Sequence, residues 1–179
     1  MTNKNFFTAI RAMAASMFQL TLLLALTGVS VRAHDPMDIT AQARFLPGGI
    51  ELRLTLAWST ACQLIAKGRE PASFQPEKFA EIRPLFQQHA AGFLPVTVEG
   101  KILAPQTVAA ELNYDGDVKI ILQFSSPTAP RVRFDAALLK SLPEDCTVFL
   151  LIRGPGPKQY VQERMTFEKP SYEIDGLPH

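Results

Sequence analysis

The sequence predicts a mainly β protein: an antiparallel β-sandwich, Ig-like, with a helical insert between the second and third strands. Three observations predict it. Apolar residues alternate with polar ones in Ile50–Trp58 and Val118–Phe124, the period of a strand with one buried face. Turn-forming residues such as Pro47-Gly48-Gly49 and Asp115-Gly116 recur along the chain at the spacing of short strands. Helical periodicity is confined to one block, residues 59–93.

Taken in order, Ile39–Phe45 and Ile50–Trp58 are two strands joined by the Pro-Gly-Gly turn. Residues 59–66 suit a short helix, and 67–73 a polar loop. The strongest helix begins at Pro76, whose missing N–H costs nothing at a first helical position. Gln75 is its expected N-cap, with Phe74 and Phe79 spaced as a hydrophobic staple. Phe79, Ile82, Leu85, Phe86 and Phe93 form the apolar stripe, and Gly92 offers a left-handed end. Pro84 should kink or split this helix by removing an internal donor. Val96–Val98 and Lys101–Leu103 flank a Glu99-Gly100 turn, and Thr107–Leu112 and Val118–Phe124 flank Asp115-Gly116. Arg131–Phe134 is another strand, and Asp135 can cap a helical turn reaching Leu139. Thr147–Ile152 is continuously apolar, as a central strand would be. Gly154-Pro155-Gly156-Pro157 turns the chain into Tyr160–Phe167, and Tyr172–Ile174 is a last short segment.

Residues 1–33 stand apart. Lys4 and Arg11 make a basic start, Leu20 and Leu22–Leu26 an apolar centre, and Val31-Arg32-Ala33 a small-residue exit. That is the pattern of a secretory signal peptide cleaved after Ala33. The alternative, an uncleaved anchor over Met13–Val29, is weakened by Gln19, Thr21 and Thr27. The expectation is therefore one β-sandwich domain over residues 34–179, soluble once cleaved, and periplasmic or secreted. Of the 18 Lys and Arg, three lie in the leader, which has no acid, so the domain carries 15 bases against 17 acids. Such a balance gives no electrostatic footprint for nucleic acid.

Export permits a disulfide between Cys62 and Cys146, and two separate buried thiols are the other reading. They do not form a C-x-x-C redox motif. Cleavage would free the amine of His34, which with its ring and a second imidazole from His89 suits Cu(II). His179, the remaining histidine, ends the sequence. The acids Glu70 and Glu77 do not make a calcium loop, and Asp115-Gly116-Asp117 is simplest as a turn. A Cys62–His89 dyad has no sequence signature, no Gly-x-Ser-x-Gly occurs, and Glu144-Asp145 fits a solvated turn. No phosphate loop is present either. The expectation is a protein that is not an enzyme.

Several segments together carry a resemblance. Ala33-His34-Asp35-Pro36 opens the expected mature chain, two alternating strands follow, and a helix carries Pro76-Glu77-Lys78-Phe79 and ends near Gly92. Val96-Thr97-Val98-Glu99-Gly100 and the turn Leu138-Leu139-x-x-Leu142-Pro143 come after. In pattern and order this resembles the extracytoplasmic domain that precedes the membrane helices of HupE/UreJ-type hydrogenase/urease accessory proteins, which have proposed roles in nickel or cobalt transport. The present sequence lacks their multi-helix membrane region, so transport is not implied, and no site residues carry over. The resemblance implies an accessory module that binds an envelope or membrane partner. A periplasmic copper protein using His34 is the alternative.

Overall fold

A segment that alternates apolar and polar side chains can bury only one face, so its strands must pair into sheets that share a core. The computed structural model shows two such sheets and describes residues 38–66, 70–125, 131–154 and 160–175. Its strands are β1 (Asp38–Leu46), β2 (Gly49–Leu56), β3 (Val96–Val98), β4 (Lys101–Ile102) and β5 (Thr107–Leu112), followed by β6 (Val118–Ser125), β7 (Arg131–Asp135), β8 (Thr147–Arg153), β9 (Tyr160–Met165) and β10 (Ser171–Asp175). Helices α1 (Trp58–Ile65) and α2 (Phe79–His89), with short 3₁₀ turns, lie between β2 and β3, where the insert is expected. The six-stranded sheet has the order β5-β6-β2-β1-β8-β9, and the four-stranded sheet β10-β7-β3-β4.

Eight strands keep immunoglobulin order. β5-β6-β2-β1 follows D-E-B-A, and β4-β3-β7-β10 follows C′-C-F-G. The hairpin β8–β9 is inserted between β7 and β10 and extends the larger sheet beyond β1. The expected antiparallel sandwich is present, with one parallel junction in it. β1 and β8 run parallel, from Asp38 opposite Thr147 to Arg44 opposite Arg153. The chain crosses from the smaller sheet to the larger between β7 and β8, and such a crossover can deliver a strand in parallel sense.

The inward faces of both sheets and one side of the insert form one continuous core. Ile39, Leu52, Leu54, Ile120, Leu122 and Leu150 meet Val96, Val132 and Phe134, all fully buried. In the insert, Trp58 lies 6.4 Å from both Phe79 and Phe86, whose rings stack at 5.9 Å. α2 lies against the edge strand β5, where the Gln87 amide donates to the Val108 carbonyl at 3.3 Å. Covering an edge in this way removes a pairing template.

Local expectations hold in part. The Glu99-Gly100 turn has both residues at positive φ, 48° and 76°, the mirror-image geometry that matches strand twist. Trp58 opens α1 instead of ending β2, because its ring belongs to the aromatic cluster. α2 runs through Pro84 without a break; Pro84 and Ala80, whose carbonyl loses its donor, are both exposed to water. Gly92 is not left-handed: the chain tightens into a 3₁₀ turn and leaves through Phe93 in right-handed geometry. Asp135 caps nothing, since the following 3₁₀ turn has no side-chain cap and the Asp135 carboxylate is held by Arg133.

The described residues all belong to the compact unit His34–His179. Among them no helix is long and apolar enough to cross a membrane. The leader, its cleavage point and the Pro155-Gly156-Pro157 turn lie outside the described residues.

Candidate functional site

The residues that sequence chemistry singles out do not converge. His34 and His179 lie outside the described residues, and His89 is half-buried at the end of α2. Among the described residues no three His, Cys, Asp or Glu side chains gather to hold a metal. Cys62 on α1 and Cys146 before β8 are two separate buried thiols, not a disulfide. Burial pushes the Cys62 thiol up to about 11, the opposite of what activates a thiolate nucleophile. Asp115 and Asp117 sit in the β5–β6 turn, where the Asp117 N–H donates to the Asn113 side chain at 2.8 Å and Gly116 takes φ 84°. Glu144 and Asp145 rim a groove of about 610 Å³ with Thr147, Arg164, Thr166, Phe167 and Glu168.

The outward faces of the two sheets are more informative. On the four-stranded sheet, alternation along β7 sends Arg131, Arg133 and Asp135 outward, beside Asp175, Glu173 and Ser171 of β10. Register sets each base near an acid. Arg131 Nε lies 2.8 Å from Asp175 and 3.2 Å from Glu173, and Arg133 Nη2 lies 2.8 Å from Asp135. The Asp175 hydrogen bond and charge, then Glu173, raise the Arg131 pKa further, and Asp135 does the same for Arg133. These groups, with Thr97, Glu99 and Gly100, line a shallow groove of about 320 Å³. The face answers its own charges.

The six-stranded face does not. Register across the sheet brings Gln123, Glu51, Arg44, Arg153 and Tyr160 into one row, and Ile121, Arg53, Gln42, Leu151 and Gln162 into the next. A third row holds Glu111, Lys119, Thr55, Thr40, Phe149 and Arg164. Five bases thus share the face with three acids, Asp38, Glu51 and Glu111. Glu51 is covered by its neighbours: Arg53 reaches it at 2.8 Å and Arg44 at 3.8 Å. Lys119 meets Glu111 at 3.9 Å, and Arg164 lies over the Phe149 ring at 5.8 Å. Arg153 is exposed and faces Arg44 across the parallel β1–β8 pair, with no acidic partner among the described residues. Like charges directly opposite are unfavourable unless something else neutralises them. Leu46 and Tyr160, 42% and 69% exposed, complete this corner.

Sequence alternation marks Arg44, Arg53, Arg153 and Arg164 as outward on their own strands. What it lacks is the pairing of β1 with β8, which alone makes Arg44 and Arg153 neighbours. Comparison with known proteins adds no identity: the chain matches no protein-family model and shows no significant similarity to a curated protein.

Proposed function

We propose that the chain is an exported, non-enzymatic binding module, periplasmic or secreted, that serves an envelope or membrane partner through the outward face of its six-stranded sheet. One observation carries this reading: Arg44 and Arg153 stand side by side on an open sheet face that supplies one of them with no acid of its own. Such an arrangement is useful to a protein that meets an anionic partner and costly to one that does not. The leader pattern supports export, and the resemblance to the HupE/UreJ-type extracytoplasmic domain supports an accessory role beside a membrane.

The test compares variants on the two faces. Wild-type protein and the Asp175→Asn variant should be retained by washed native envelope membranes, and Arg44→Glu should not. Retention that is absent in all three, or equal in all three, would overturn the reading.

A further inference from the structure

The partner's chemistry can be taken one step further, resting on the reading above. We propose that the six-stranded face binds the phosphate headgroups of an anionic bilayer surface directly. The domain as a whole carries more acids than bases, yet this face sets Arg44, Arg53, Lys119, Arg153 and Arg164 against only Asp38, Glu51 and Glu111. A guanidinium pairs with phosphate through two parallel hydrogen bonds, and Arg153 has no acidic partner among the described residues, whereas Arg164 lies over Phe149 in the groove it shares with Glu144, Asp145 and Glu168.

Shape favours an extended surface over a small anion. Six strands about 4.8 Å apart present a face on the order of 24 Å wide, broad enough for several headgroups. Composition favours a bilayer over an acidic protein. Leu46 follows Arg44 on the same face, and Tyr160 lies opposite Arg153, so an apolar tip and an amphipathic ring flank the two arginines. Basic side chains bordered by such groups suit the boundary between headgroups and acyl chains.

The experiment is co-sedimentation of the mature protein with vesicles of phosphatidylcholine, with and without about 30 mol% phosphatidylglycerol. Binding should require phosphatidylglycerol and weaken with added salt. Arg44→Glu with Arg153→Glu should reduce it at least about tenfold, and Glu173→Gln with Asp175→Asn should leave it unchanged. If the charge-reversed protein misfolds by circular dichroism, Arg44→Gln with Arg153→Gln should still weaken binding. Millimolar inorganic phosphate should compete poorly; full displacement would mean a site for a single small anion and overturn the bilayer proposal. No vesicle binding, with protease-sensitive binding to native membranes, would assign the face to an acidic protein, overturning this inference and sparing the broader reading. Binding to neither would end both. A mass that doubles with concentration, with vesicle binding absent, would mean that a second copy occupies the face and would also overturn the proposal.

Discussion

The two outward faces of the sandwich use the same side chains to opposite ends. On the four-stranded sheet, register sets Arg131 and Arg133 beside acids of β7 and β10, and the charges close on themselves. On the six-stranded sheet, the inserted hairpin sets Arg153 opposite Arg44, and Arg153 has no acidic partner among the described residues. Alternation alone decides which residues face water. Pairing decides whether they are satisfied there, so one face closes its ion pairs and the other, proposed above as the receptive one, leaves a base without an acid among the described residues.

The sharpest way to break the comparison is to disturb the frame beneath the receptive face. Gly49 opens β2 at φ 155°, and a Cβ there would lie 1.9 Å from the Phe124 carbonyl oxygen of the neighbouring strand. Backbone cannot yield as a flexible side chain can, so Gly49→Ala should cost about 3 kcal/mol or more by urea denaturation. Gly100, in the turn of the smaller sheet, has φ 76° but open space around the missing Cβ. Gly100→Ala should therefore cost only the left-handed conformational penalty, about 1–2 kcal/mol. Equal losses would show that the close approach at Gly49 is relieved by a shift of the strand.

Glu51 tests the receptive face itself. Its side chain is 11% exposed and receives Arg53 at 2.8 Å. Glu51→Gln removes the one carboxylate among Arg44, Arg53 and Arg153, and should cost about 2 kcal/mol, because a charge-assisted bond is lost in a covered position. The same variant should bind anionic vesicles more tightly than wild type. A stability loss without that gain would mean that Glu51 serves the fold alone.

What the sequence discloses about this molecule divides along the same line. The strands, the insert and the Glu99-Gly100 and Asp115-Gly116 turns are legible, because alternation and turn chemistry are local. The continuous apolar run of β8 reads as a central strand, and β8 does lie inside the larger sheet, between β1 and β9, with Phe149 and Leu151 half-buried on its outward face and Arg164 over Phe149. The receptive corner is not legible, since Arg44 and Arg153 are 109 positions apart and meet only through a parallel pairing that no local pattern encodes. Asp135 shows a smaller case: its spacing fits a helix cap, but Arg133, two residues earlier on the same face, takes the carboxylate first.

Between the faces, Cys62 tests the interior. In the unfolded chain its thiol titrates near the ordinary 9.0, while burial in the fold raises it to about 11. Between those values the unfolded state releases a proton that the native state keeps, so stability falls as pH rises from about 9 to 11 and is flat below. The loss attributable to Cys62 should be on the order of 1–2 kcal/mol. Cys62→Ala should flatten the pH dependence whatever it does to stability at neutral pH. An unchanged slope would place the titrating group elsewhere.

The smallest effect belongs to the self-paired face. Asp175 is 74% exposed and Arg131 59%, so water and salt screen their attraction even at 2.8 Å. Arg131 also keeps Glu173 at 3.2 Å when Asp175 is neutralised. Asp175→Asn should therefore leave the urea midpoint unchanged within error at moderate salt, although the pair has better geometry than Arg44–Glu51. That outcome makes cover, not distance, the property that gives a charge on this sandwich its energetic weight. A loss as large as that of Glu51→Gln would instead make the ladder of the four-stranded sheet a cooperative network, and the contrast between the faces would then rest on net charge alone.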